Sequence, residues 1–199
     1  MKNLRKLTQL FTLLISFLFM STSIFAQTNW KVDPAHAKVT FSTVHNTISD
    51  VEGLFNTFES SLTATKADFS DAVFELSVDV KSIDTEIKMR DDHLRSADFF
   101  DVEKFPKLTF KSTSIENTET KNRYKLKGNL TMHGVTKAVT VDLWYRGTIT
   151  DAQSGNEIAG FQVTGLLNRL DFGVGTKFPE ALISNKVLIK ADGEYIKQK

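Results

Sequence analysis

The chain has no cysteine, so no disulfide can staple it, no thiolate can bind a metal, and no residue near the N-terminus can receive a cysteine-linked lipid. Sequence signatures of catalysis and cofactor binding are missing as well. No Gly-x-Ser-x-Gly elbow surrounds a serine, no phosphate loop or Gly-x-Gly-x-x-Gly opens a helix, and no haem-attachment pattern occurs. The four histidines, His36, His45, His93 and His133, stand in no His-x-His or His-x-x-x-His pair, so neither a metal centre nor a catalytic residue is assigned. Charge of one sign is also missing. Lys2, Arg5 and Lys6 are the only charges in the first 26 residues, which leaves 22 of the 25 basic residues against all 24 acids in the remainder. A net charge of about −2 offers nothing to nucleic acid or to an anionic membrane. No internal repeat or long low-complexity segment is present.

What is present begins with a leader pattern. Lys2, Arg5 and Lys6 precede an apolar stretch from Leu10 to Met20, and Ile24-Phe25-Ala26 places a small residue before Gln27. Residues 1–26 are therefore expected to be a signal peptide and residues 27–199 one mature domain, periplasmic or secreted. A membrane-spanning helix wants about 20 mostly apolar residues, and Gln9, Thr12, Ser16, Ser21, Thr22 and Ser23 interrupt this run, so no transmembrane anchor is expected after processing.

The mature region reads as strands. Phe74, Leu76, Val78 and Val80 alternate with Glu75, Ser77, Asp79 and Lys81, the period of a strand with one buried face. Further strands are expected near residues 29–33, 37–44, 51–63, 107–116, 124–132, 138–150, 156–167 and 186–195, with a tight reversal at His133-Gly134-Val135-Thr136 where Gly134 can take a positive φ. So many antiparallel strands would expose sheet edges unless the sheet closes, and the fold class is all-β, an antiparallel barrel of about eight strands. Gly128, Gly147, Gly160 and Gly165 fall inside strand patterns, as bends or bulges of a curving wall would require.

Between residues 81 and 110 the two-residue period breaks. Ile87, Arg90, Asp91 and Leu94 follow helical steps, Asp84 or Thr85 is placed to cap the helix, and Phe105-Pro106 ends the stretch before the next strand. The loop combines Leu94, Phe99, Phe100 and Phe105 with charged residues, a composition suited to a helix-bearing lid.

Several segments, in their order and spacing, resemble the YceI-like family of lipid- and polyisoprenoid-binding envelope proteins. They include Trp30-Lys31-Val32-Asp33-Pro34-Ala35-His36, Ser82-Ile83-Asp84-Thr85, Arg90-Asp91-Asp92-His93-Leu94, Phe99-Phe100-Asp101, Gly128-Asn129-Leu130-Thr131-Met132-His133-Gly134 and Asn168-Arg169-Leu170-Asp171-Phe172-Gly173. The pattern departs from the family at Ile183–Val187, where a Gly-Asp pair is usual. The resemblance implies a lipocalin-like barrel with an elongated apolar cavity, and a non-enzymatic role in binding, transporting or storing a long amphiphilic lipid such as a polyisoprenoid or quinone. No cofactor other than that lipid is implied.

On this reading the tail lies among Phe41, Phe55, Phe58, Phe74, Leu76, Val78, Phe110, Leu130, Met132, Leu143, Phe161 and Val163, with Leu94, Phe99 and Phe100 closing one end. Arg90, His93, Asn168 and Arg169 are candidates for the polar head group. Val78→Trp should then reduce uptake without unfolding the protein. A homodimer is compatible with the sequence, although no coiled coil argues for one. The competing reading is a barrel filled by its own phenylalanines, acting as an interaction or stress-response protein with no lipid.

Overall fold

The structure, a computed structural model, describes residues 26–199. Apart from Ala26, the expected signal segment lies outside the described residues. The described residues form ten strands and one α-helix: β1 (Thr28–His45), β2 (Ser49–Phe55), β3 (Phe58–Ala64), β4 (Val73–Asp79), β5 (Ile83–Asp84), α1 (Lys88–Arg95), β6 (Lys107–Asn117), β7 (Arg123–Met132), β8 (Val135–Thr150), β9 (Glu157–Asn168) and β10 (Ile183–Lys197). Their order is β10-β9-β8-β7-β6-β4-β3-β1-β2-β5, and β10 also pairs with β1. Since β2 and β3 pair with opposite halves of β1, they act as one interrupted strand, and the wall is a closed eight-stranded antiparallel barrel.

Two strand expectations needed tertiary context. Residues 29–33 and 37–44 form a single strand, because the register with β10 shifts between Val32 and Ala37 and absorbs Asp33-Pro34-Ala35-His36 as a bulge. Residues 51–63 instead break at Asn56-Thr57. There the Asn56 and Thr57 N–H groups donate to the carbonyl and hydroxyl of Ser82, and Asp79 N–H donates to the Thr57 carbonyl. The short 3₁₀ turn Val80–Ser82 thus takes the hydrogen bonds that a continuous strand would have given to β1.

The helix also begins later than its capping signals suggest. Ile87 stands at its N-terminus without a side-chain cap. Asp84 accepts from the Glu86 N–H, and Asp91, inside the helix, reaches back to the Thr85 N–H at 2.8 Å and hydroxyl at 2.5 Å. A buried Thr85–Asp91 pair therefore fixes the start of α1 by a side-chain bond from within the helix rather than an N-cap.

Alternation decides what faces inward. Along β7, Tyr124, Leu126, Leu130 and Met132 are buried, while Lys125 and Lys127 point outward and pair with Asp142 and Glu116. At the β7–β8 reversal both His133 and Gly134 have positive φ, the type I′ geometry that matches strand twist. Gly147 has φ +130° and lies at a register shift in β8, which is a bulge in the wall. Gly128 serves a different purpose. A Cβ there would stand 2.4 Å from the Phe110 ring and 2.6 Å from the Lys111 carbonyl, so the missing side chain lets Phe110 lie flat against β7.

One end of the barrel is sealed by aromatic rings. Phe69, from the β3–β4 loop, meets Trp30, Tyr145 and Phe161 at 5.0–5.3 Å, and Phe74 meets Phe161 and Tyr195 edge-on. Phe69 holds φ 57°, and its loop is tied down where Asp71 accepts from the Thr65 and Lys66 N–H groups and the Tyr124 hydroxyl donates to the Asp68 carbonyl. The opposite end is covered by the segment containing α1 and by residues 169–182, which include the 3₁₀ turn Arg169–Phe172.

Candidate functional site

The barrel is full at its aromatic end and hollow beyond it. A cavity of about 140 Å³ is lined by Phe58, Phe74, Leu76, Phe110, Leu130, Phe161 and Val163, among others. A second, of about 120 Å³, lies under the lid among Leu94, Phe99, Phe100, Met132, Val174 and Ile183. Phe41, Phe55, Leu108, Leu167 and Ile189 line both, so the two chambers adjoin. Each is close in size to an apolar cavity of roughly 150 Å³ that stays dry and admits a benzene ring.

Side-chain size around the wall explains the void. β10 presents Ala191 and Gly193 to the interior, paired across the seam with Val39 and Ala37 of β1. Four strands away round the barrel, and therefore facing β10, β6 contributes Phe110, which Gly128 allows to lie close to the wall. Small groups on one side and a flattened ring on the other leave the axis open.

Thirteen of the fifteen apolar residues expected from sequence line one or both chambers. Val78 and Leu143 do not. Val78 is 0% exposed and packs behind the chamber wall in a cluster with Phe55, Val80, Ile83 and Val102, at the end of β4 where the 3₁₀ turn and the lid segment cover it. Leu143, 1% exposed, lies in the packed cluster that includes Trp30, Phe69 and Phe161. Val78→Trp is thus no test of the cavity, since it would overpack a filled core. Leu108, Leu167, Ile189, Ala191 and Gly193 were not singled out as cavity residues. Leu108, Leu167, Ile189 and Ala191 all belong to inward-facing alternation patterns, but strand parity gives the face of a residue and not its depth along the axis.

The head-group candidates do not converge. Arg169 is 4% exposed, and its guanidinium donates to five backbone carbonyls: Ser184 from Nε, Val174 and Gly175 from Nη1, and Phe178 and Ile183 from Nη2. All five N–H groups are used, so Arg169 pins the chain crossing the lid end instead of offering a donor to a ligand. Burial draws its pKa below the usual guanidinium value, with the charge of Glu180 acting in the opposite direction. The Asn168 Oδ1 accepts from the Leu170 N–H in the same turn. Arg90 gives Nε and Nη2 to the Thr85 hydroxyl and carbonyl and borders an external groove, and His93 stands beside Asp98 with its ring perpendicular to the stacked rings of Phe99 and Phe178. Arg169 is committed to the backbone, and Asn168, Arg90 and His93 line neither chamber.

The histidines are likewise dispersed. His133 Nδ1 lies 3.1 Å from the Phe172 carbonyl, with its ring against Phe105. His36, in the β1 bulge, lies 2.8 Å from Asp33 and 3.9 Å from Glu194 of β10, across the seam that closes the barrel. Hydrogen bonding to Asp33 and the charges of Asp33 and Glu194 raise the His36 pKa, and the hydrogen bonds from His36 and the Ala35 N–H lower that of Asp33. The charged contact therefore persists between the depressed carboxylate pKa and the elevated imidazolium pKa. It is lost as pH rises through the latter or falls through the former. An NMR titration of the His36 ring should give a pKa above that of a free histidine, and Asp33→Asn should return it toward the ordinary value.

A family model described as "YceI-like domain" matches residues 30–195. A UPF0312 protein of Staphylococcus aureus strain N315 is 33% identical over 168 residues, covering 84% of this chain and 94% of that protein. The crystal structure of Burkholderia cenocepacia BcnA superposes with a TM-score of 0.73 at 25% identity, covering 84% of this chain and 99% of that one. The structure of a polyisoprenoid binding domain from Saccharophagus degradans superposes with a TM-score of 0.64 at 16% identity, covering 85% and 98%, and so shares the fold.

Proposed function

We propose, from the premise that this chain belongs to the YceI-like domain family, that the protein is an exported, non-enzymatic carrier that holds a long amphiphilic lipid. The observation that carries this reading is the pair of adjoining apolar chambers on the barrel axis, lined chiefly by aromatic and aliphatic side chains, with Lys38, Lys190 and Asp192 bordering the larger one. The lid chamber's one charged side chain, Arg169, has every donor committed to the backbone, so the lining offers a hydrocarbon little beyond apolar contact. The fold is shared with a domain described as polyisoprenoid-binding, which supports the same class of ligand.

The shape selects among lipids. Two narrow chambers in contact suit a linear or branched chain better than a fused ring system. Burying about ten methylene groups would contribute roughly 8 kcal/mol at ~0.8 kcal/mol each, before the costs of ordering the chain and the protein. A longer isoprenoid would need the rings of Phe41 and Phe55, now 5.7 Å apart between the chambers, to turn aside. The N-terminal leader pattern supports action outside the cytoplasm, where such lipids move between membranes.

Native mass spectrometry of the protein purified from its own envelope, followed by organic extraction, tests the proposal. One isoprenoid or long-chain lipid per barrel is the expected result. An apo mass unchanged after incubation with polyprenol, quinone and fatty-acyl lipids would overturn it.

A further inference from the structure

Exposed apolar side chains on this barrel are segregated to one end. Ten large hydrophobic residues are exposed among the described residues, and only Val73 and Ile149 lie toward the end sealed by aromatic rings. The other eight lie at the lid end or on the parts of β1, β9 and β10 that lead to it. Two are almost fully in solvent: Ile48 at the tip of the β1–β2 hairpin, 85% exposed, and Met89 in the first turn of α1, 81% exposed. Ile87 immediately precedes that helix and is half exposed. Leu182 accepts a backbone hydrogen bond from Asn46, which places it beside the hairpin tip. Leu166 and Leu188 are cross-strand partners on the outer face below.

These tips flank one opening. An external groove is bordered on one side by Asp50 and Glu52, just after Ile48, and on the other by Glu86 and Arg90, which bracket Ile87 and Met89. The groove shares Phe41 with both interior chambers, and β5 pairs only with Leu54 and Phe55, leaving the rest of the β2 edge without a strand on that side. Meanwhile Leu94, one turn along the same helix from Met89 and Arg90, caps the lid chamber from above. A single short helix therefore covers the interior and projects a bare methionine into solvent.

We infer that the lid end is a membrane-docking surface, with Ile48, Ile87 and Met89 inserting into a lipid bilayer so that the lid faces the reservoir from which a tail is drawn. The inference rests on the lipid-carrier reading above and specifies which end loads. The tips rise singly from a hairpin and a helix start, which suits a fluid acyl layer that closes round each of them, whereas a second protein copy would need a continuous complementary face. Charge selects the membrane surface. The groove carries Asp50, Glu52, Asp84 and Glu86 against Arg90 and Lys190, and Lys88, between Ile87 and Met89, is paired with Asp92, which leaves an excess of carboxylate that disfavours anionic head groups and points to a zwitterionic surface.

The test is flotation of the mature protein with phosphatidylcholine vesicles, with and without a fifth of the lipid replaced by phosphatidylglycerol. Wild-type protein should float with the zwitterionic vesicles, and no better with the anionic ones. Ile48→Asp combined with Met89→Asp should reduce the floated fraction by roughly ten-fold or more, since two side chains buried in the acyl boundary are lost. Both positions are solvent-exposed, so the double variant should keep the wild-type melting temperature. It should also take up polyprenol delivered from detergent micelles at wild-type stoichiometry, which separates docking from holding. Equal flotation of the variant, failure of wild-type protein to float, or a concentration-dependent dimer that the double substitution dissolves while flotation is unchanged would each overturn the docking assignment. Loss of micelle uptake by wild-type protein would instead overturn the carrier reading and leave the flotation result to stand by itself.

Discussion

Ala191→Phe is expected to lower lipid uptake by at least about ten-fold while leaving the barrel folded. Ala191 faces inward on β10, pairs with Val39 across the closing seam, and borders the larger chamber. The substitution adds a benzene ring to a space of about 140 Å³, comparable with a cavity that one such ring occupies. A ten-fold loss corresponds to about 1.4 kcal/mol, and excluding only two methylene groups of a tail at ~0.8 kcal/mol each would reach it. Stability should hold or rise by roughly 0.5–2 kcal/mol, because the ring enters a void instead of displacing packed atoms. Uptake stoichiometry by native mass spectrometry and a thermal melt on the same samples check both halves. Full uptake by a well-folded variant would mean that the tail does not pass Ala191.

Arg169→Met should destabilise the fold by about 3–5 kcal/mol without touching the larger chamber. The guanidinium gathers carbonyls from Val174, Gly175, Phe178, Ile183 and Ser184, and removing it leaves these acceptors to find water at a place where the chain is largely covered. Lysine is no substitute. Its ammonium has three donors on a single atom and cannot serve five carbonyls arranged around a planar fork, so Arg169→Lys should recover little of the loss. Urea unfolding gives the free energies directly. For a domain of this size the expected fall in melting temperature is roughly 10 °C. A change within 1 kcal/mol would show that residues 169–184 are held by the surrounding apolar cluster of Phe99, Phe172, Val174 and Phe178.

Phe99 links Arg169 to the lid chamber. Its ring stacks on Phe178 at 4.7 Å and approaches the position of any Cβ at Gly175, whose carbonyl Arg169 also binds. The arginine therefore holds the floor on which a lid residue rests. Loss of Arg169 would loosen one wall of the smaller chamber along with the fold.

The fold class was legible because it depends on a period. Alternation along β6 to β10 assigns a face to each residue whatever lies across the barrel, and the need to cover strand edges then favours closure. The tight turn at His133-Gly134 was legible for the same local reason, since few residue pairs accept two positive φ angles in succession. The helix start was not. Asp84 and Thr85 carry the right side chains for a cap, but Asp91 competes for the Thr85 N–H and hydroxyl from inside the helix, and a buried carboxylate with two donors prevails over a solvent-exposed cap.

For the site, sequence determined composition and the structure determined position. An inward-facing, phenylalanine-rich set of strands without reactive groups follows from the residues alone, and so does the family resemblance that the matches bear out. Where the interior is filled and where it is empty depends on depth along the axis and on which strands face each other, neither of which a two-residue period contains. That is why Val78 and Leu143 share the parity of the cavity residues yet lie in solid core, and why Ala191 and Gly193 matter by what they lack. The same limit applies to Arg169. A charged residue next to an Asn in a loop reads as a head-group contact until the chain folds back around it, because nothing in the side chains of residues 174–184 signals that their backbone carbonyls will curl round one guanidinium.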